Sequence, residues 1–357
     1  MENATLKDRA ALLRWTASLL AGLLTVTGPA KAQAQGSEER GILESGAAHI
    51  AACQAARTRQ GVLHLSNNDE TGPDAGLRVT VWFADGGGTL CIAGNMTLGL
   101  AEWAEALDTP PERAVIHSAG GLGQAGLRLG EQLRRWRADL IVWDICMSAC
   151  ANGPFLGAVR RIVPEPGLVV WHGGLAQSRY AAMIQASRSG TGGLGRLINH
   201  AASRLEQTGR NDIPDAVWGE LPREVTARMD NWTRWQARER ALFEAAGVVP
   251  SFHGAYYRVE REAGPALTNS IRALRLERTL YWAPQRETLE AWGFTDVHMW
   301  EAGTEADVFM LGWSRRIPIA VSAHHLVPAD FPAEADPDWP DDSRDWPEPG
   351  RTQFARP

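Results

Sequence analysis

The chain has only two lysines, Lys7 and Lys31. Beyond residue 31 its basic side chains are arginine and histidine, which excludes a serine–lysine dyad, where a lysine amine activates the hydroxyl. Positive charge is scarce overall: 36 Lys and Arg against 42 Asp and Glu leave a net charge of −6. That balance gives no basic face for nucleic acid or anionic lipid. No apolar run after residue 27 approaches the roughly 20 residues of a membrane-spanning helix. Cysteine is limited to Cys53, Cys91, Cys146 and Cys150. The C-x-x-x-C pair Cys146/Cys150 has no second His or Cys half-site beside it, so a disulfide is preferred to zinc. His324-His325 also lacks companions, and neither a metal nor a cofactor is expected. Tyrosine and phenylalanine number 4 and 8, against 15 tryptophans. The tryptophans are scattered, which favours core filling over a carbohydrate platform.

What is present begins with an address. Lys7, Arg9 and Arg14 precede an apolar stretch over residues 15–27, broken by Gly28-Pro29. Ala30-Lys31-Ala32 and Ala32-Gln33-Ala34 offer small-x-small cleavage sites. Residues 1–34 therefore read as a secretory signal peptide and place the protein in the periplasm or outside the cell. An uncleaved membrane anchor is the lesser alternative. In an oxidising compartment four cysteines suggest disulfides, and four allow three pairings. Cys146 and Cys150 flank Ser148 symmetrically and could bridge across it, leaving Cys53 with Cys91.

Residues 35–75 read as an N-terminal helical segment, with helix expected over 36–68 along the stripe Ala47-Ala48-His49-Ile50-Ala51-Ala52. Residues 77–83 alternate as a strand, Asp85-Gly86-Gly87-Gly88 turns it, and 89–93 return as its partner. Helix follows over 98–107, stopped by Pro110-Pro111. Three short apolar runs come next: Ala114-Val115-Ile116-His117, Leu140-Ile141-Val142-Trp143 and Leu168-Val169-Val170-Trp171. Strands alternating with helices predict an α/β fold, its parallel strands joined by helical crossovers. The core carrying the site spans 76–200. A helix-rich extension over 201–327 completes it, with helix over 217–247, a short helix within 278–294 and a strand pair within 309–321. Residues 328–357 are rich in Pro, Asp and Glu and predict a disordered tail.

The chemistry gathers at three strand ends. The first run leads into Ser118-Ala119-Gly120-Gly121, where glycine lets backbone N–H groups approach an oxyanion with no Cβ in the way. The second leads into Cys146-Met147-Ser148-Ala149-Cys150, with Ser148 where strand gives way to helix. The third delivers His172, followed by Gly173-Gly174. Taken singly, a serine at such a turn is usually an N-cap and a histidine at a strand tip is usually an ordinary surface residue.

Taken in order, strand–Ser-Ala-Gly-Gly–helix, strand–Ser-Ala–helix and strand–His resemble the proteolytic subunit of the Clp protease (ClpP), of the ClpP/crotonase superfamily. The resemblance covers roughly residues 89–174, and the flanking cysteines make it closest to exported members. It implies a spiral of ββα units with a helical annex. It also implies Ser148 as nucleophile, His172 as general base and then acid, and an oxyanion hole from the Gly121 and Ala149 N–H groups. The implied substrate is a peptide or unfolded protein, and the implied assembly a homo-oligomer. The orienting acid has no motif: spacing past His172 points to Asp212, Asp215 or Glu220, and the closing helix points to Glu277. Export removes ATP, so no ATPase partner is expected. An inactive member acting as an envelope binding or scaffold protein is the alternative. A crotonase-like acyl-CoA enzyme is disfavoured because that coenzyme is cytoplasmic. Cleavage is predicted after Ala32 or Ala34, to be read by N-terminal sequencing of the envelope fraction; a mature chain beginning at Met1 contradicts it.

Overall fold

The computed structural model describes residues 36–58, 61–67, 76–171, 223–249, 252, 281–301 and 319–320, with backbone only for 223–233, 281 and 319–320. The chain forms two units, residues 1–40 and 41–357. Of the first, only the start of the opening helix is described.

That helix, α1 (Ser37–Arg57), begins with Glu38 and Glu39 and ends on Arg57, the charge order that complements a helix dipole. Helix was expected through residue 68, but Leu63–Ser66 forms a strand, β1, antiparallel to β2 (Arg78–Ala84). The sequence Leu63-His64-Leu65-Ser66 alternates with the two-residue period of a strand, and β2 offers it an open edge. β2 turns back through a 3₁₀ turn (Asp85–Gly87) into β3 (Thr89–Gly94), the expected hairpin. Asp85 shapes the turn: its carboxylate accepts from the Thr89 hydroxyl at 2.9 Å and lies 3.1 Å from His49 Nδ1. The Thr89 hydrogen bond and the His49 ring hold the Asp85 carboxyl below its usual range.

From β3 onward the sheet is parallel. α2 (Leu98–Glu105) leads to β4 (Arg113–Ser118), and α3 (Gly123–Trp136) leads to β5 (Asp139–Met147). A π-helical segment (Ala151–Phe155) leads to β6 (Arg161–Val163), and β7 (Leu168–Val170) follows. Pro154 sits inside that segment and has no N–H to return to the preceding turn, which accounts for its wide winding. β5 takes two neighbours along one edge, β6 at Leu140 and Ile141 and β7 at Ile145 to Met147. The eight-stranded sheet has the order β1-β2-β3-β4-β5-β6-β9, with β7 also on β5. β9 (Val297–Met299) brings the C-terminal part of the chain back into it, parallel to β6.

Alternation along the central strands sorts two cores. Leu90, Ile92, Ala114, Ile116, Leu140 and Val142 face α2, α3 and α4 (Arg223–Ala246). Cys91, Val115 and Ile141 face α1 through Cys53 and Ile50. The result is a mixed α/β fold whose sheet is mostly parallel. Phe155, Trp171, Phe252 and Phe294 make edge-to-face contacts behind the π-helical segment, and Trp282 lies tilted against Phe252. Trp82, Trp171, Trp282 and Trp292 are all buried, so these tryptophans fill the core. β8 (Tyr281–Trp282) pairs with β10 (Ile319–Ala320), and α5 (Arg286–Ala291) precedes β9. The strand pair expected within 309–321 is described only at β10. The tail over 328–357 and the signal segment over 1–34 lie outside the described residues. Among the described residues no helix is long and apolar enough to cross a membrane.

Two disulfides close the structure: Cys53–Cys91, with Cα atoms 5.8 Å apart, and Cys146–Cys150, at 5.2 Å. Both pairings match the expected ones, and they fit a chain that folds in an oxidising compartment. Cys53–Cys91 ties α1 to the sheet across 38 residues, and a loop of that length corresponds to about 4 kcal/mol of chain-entropy stabilisation. Replacing both cysteines by alanine is therefore predicted to lower unfolding stability in urea by about 2–4 kcal/mol. A change below about 1 kcal/mol would show that α1 holds to the sheet without the cross-link.

Candidate active site

Ser148 lies at the hinge between β5 and the helical segment that follows. Its N–H donates to Val170 C=O at 2.9 Å, the last rung of the β5–β7 ladder. Its own C=O accepts from Asn152 N–H at 2.9 Å, the first helical hydrogen bond. One residue thus closes the strand and opens the helix. The Cys146–Cys150 disulfide spans the same turn from both sides.

The backbone of Ser148 is left-handed, with φ 58°. An ordinary N-cap has extended backbone. Thr97, which caps α2, shows the ordinary case: φ −120°, ψ 153°, its hydroxyl accepting from Leu100 N–H at 3.1 Å. The left-handed region costs an L-residue about 1–2 kcal/mol. Ser148 is therefore no simple cap.

The Gly120–Gly121 turn is built against this serine. The buried Ser118 hydroxyl accepts from Gly120 N–H at 3.1 Å and folds the turn back on the end of β4. Gly120 has φ 98°, and a Cβ there would stand 2.7 Å from Ser148 Cβ and 3.3 Å from its Oγ. Only glycine permits that approach. The Gly120 C=O accepts from Met96 N–H at 2.7 Å. In a trans peptide the C=O and the following N–H point oppositely, so Gly121 N–H is directed away from Met96 toward the β5 side. The same reasoning applies at Ala149. The Ser148 C=O points into the helix toward Asn152, so Ala149 N–H projects from the helix's N-terminal end, where the first N–H groups have no intrahelical acceptor.

Glycines also fix the helix that Ser148 opens. Gly126 and Gly130 of α3 lie against Gly153 and Gly157, backbone to backbone. A Cβ on Gly130 would come within 2.9 Å of Gly153 Cα, and one on Gly157 within 2.8 Å of Gly130 Cα. At the far end Arg161, 1 % exposed, donates to the Phe155, Leu156 and Thr295 carbonyls, each at 2.7 Å. Burial pushes its guanidinium down to about 10, still charged at neutral pH.

Of the residues singled out in the sequence, Ser148, Ala149, Gly121 and the four cysteines are described, and Ser148, Ala149 and the Gly120–Gly121 turn come together. His172 and the candidate acids Asp212, Asp215, Glu220 and Glu277 lie outside the described residues. His172 follows directly on Trp171, two residues beyond the Val170 carbonyl that holds Ser148 N–H. The sequence marked the Ser118-Ala119-Gly120-Gly121 turn, but not the packing of Gly120 on Ser148 or the Ser118 hydroxyl that folds the turn, and it missed the paired Gly-x-x-x-Gly steps. Those steps were legible as spacing, Gly126 to Gly130 and Gly153 to Gly157.

Fold and site together define an α/β protein with a strained serine at a strand–helix hinge, flanked by backbone N–H groups. No family model, no curated protein and no solved structure matches the chain.

If left-handed strain is stored at Ser148, glycine should suit the position better than alanine. Ser148→Gly is predicted to be about 0.5–1 kcal/mol more stable than Ser148→Ala in urea unfolding. The opposite order would exclude a left-handed residue 148.

Proposed function

We propose that this protein is an exported serine hydrolase of Clp-like type, acting on peptides or unfolded chains without ATP. Ser148 is the nucleophile, and attack on a carbonyl forms an acyl-enzyme that water then releases. The observation carrying this reading is the left-handed backbone of Ser148. A sharp, strained strand-to-helix turn that exposes a serine hydroxyl is how nucleophile elbows are built. Structural capping, by contrast, needs no such strain.

The donors complete the case. Gly121 N–H and Ala149 N–H belong to peptide units whose carbonyls accept from Met96 and Asn152, which turns both N–H groups the opposite way, where in this proposal they hold developing negative charge. One such donor contributes on the order of 3 kcal/mol to a transition state. His172 serves as general base in this proposal. Support comes from chain position: β7 is hydrogen-bonded to the Ser148 turn and leads straight into Trp171-His172. The ββα order of β2–β3–α2 supports the Clp-like spiral as the finer form of the fold.

Purified mature protein is predicted to label covalently with a fluorophosphonate. Ser148→Ala should abolish labelling, and His172→Ala should slow it by about 10³-fold or more. An unlabelled wild type of intact fold would transfer the protein to the scaffold reading. Labelling that survives in Ser148→Ala would place the nucleophile elsewhere.

A further inference from the structure

The central strand β5 is longer than its partner. Between the paired positions Ile116↔Val142 and Ser118↔Cys146, β4 advances two residues while β5 advances four. The surplus is taken up around Asp144, whose φ is 78°. Trp143 and Asp144, at this irregularity, both line a cleft beside α1. Bulges that re-aim a side chain, and left-handed non-glycine residues, concentrate where ligands are held.

The cleft, about 510 Å³, lies between α1 and the sheet, on the side of β5 that carries Trp143. That volume suits a small organic ligand. Ile50 and Trp143 form an apolar wall, and Asp144 and Glu165 bring two carboxylates to it. His117 braces the bulge: its Nδ1 lies 3.2 Å from the Trp143 carbonyl, which can only accept, and 3.5 Å from Asp144 Oδ2. The cation in the lining, Arg57, is stacked 5.4 Å from the Trp82 ring centre. Ser148 does not line the cleft, and none of the lining residues carries a hydroxyl or thiol, so the chemistry available is binding rather than acyl transfer. Among the described residues no three His, Cys, Asp or Glu side chains are grouped to hold a metal ion.

We infer that this cleft binds an organic cation: an ammonium or guanidinium head placed at Asp144 and Glu165, with its apolar stem against Trp143. Carboxylates supply charge-assisted hydrogen bonds to such a head, and an indole face attracts the cation while covering the stem. This site stands independently of the Ser148 chemistry.

The test is calorimetric titration of the full mature protein with agmatine, a four-carbon stem carrying a guanidinium at one end and an ammonium at the other, and with valerate as an anion of similar length. Agmatine should bind saturably and valerate should not. Asp144→Asn keeps a residue tolerant of left-handed backbone, so the fold should survive while agmatine binding weakens by about tenfold. Ser148→Ala should bind agmatine as the wild type does. The inference is overturned if agmatine binds no more tightly than about 10 mM, if valerate binds comparably, or if Asp144→Asn weakens binding by less than about threefold.

Discussion

The site depends on one constraint, the left-handed backbone of Ser148. Serine gains nothing from that conformation by itself, so neighbouring structure has to enforce it. Four restraints act within a few residues: the N–H is held by Val170, the C=O by Asn152, Cys146 is bonded to Cys150 across the turn, and Gly120 packs onto the side chain. Each hydrogen bond contributes about 1 kcal/mol net, comparable with the strain. The disulfide closes only a short loop, so its effect is local: it keeps the strand end and the first helical turn at a fixed separation. Several modest restraints together outweigh one modest penalty.

Those restraints need rigid supports. The helix beginning at Ser148 cannot shift along α3, because glycine backbones interlock at Gly126, Gly130, Gly153 and Gly157 and any Cβ there would meet backbone atoms. Nor can its far end unwind freely. Arg161 fastens the Phe155 and Leu156 carbonyls to Thr295, and its guanidinium lies over the Phe155 and Phe294 rings. Burying that charge is unfavourable, which is why burial lowers its pKa, and three hydrogen bonds to carbonyls offset the penalty. Through Thr295 and β9 the C-terminal part of the chain therefore helps to hold a site made mostly by residues 118–157.

How much of this was legible in the sequence depended on whether side-chain type or backbone conformation was decisive. The β2–β3 hairpin and the parallel strands β4, β5 and β7 follow from alternation, turn residues and spacing. The placement of Cys146 and Cys150 around Ser148 pointed to one of three possible pairings. β6, three residues beginning at a buried arginine, carried no strand signal. β1 was hidden because Leu63–Ser66 is only four residues long and adjoins a true helix. The strain at Ser148 and Asp144 was invisible for another reason: neither residue type demands a left-handed φ, and tertiary contacts impose it. Glycine spacing in α3 and after Ser148 was visible, but its meaning required knowing that those two segments face each other.

The two irregularities of β5 are linked by geometry. Without the surplus around Asp144, Ser118 would pair with residue 144 rather than Cys146. Ser148 would then stand two residues farther along the strand, about 7 Å beyond the Gly120–Gly121 turn. A serine that far away could share no oxyanion with Gly121 N–H. The bulge shortens the effective reach of β5 until Ser148 meets Gly120, and in doing so it turns Asp144 into the cleft beside α1. The register shift that aligns one side chain thus exposes the other.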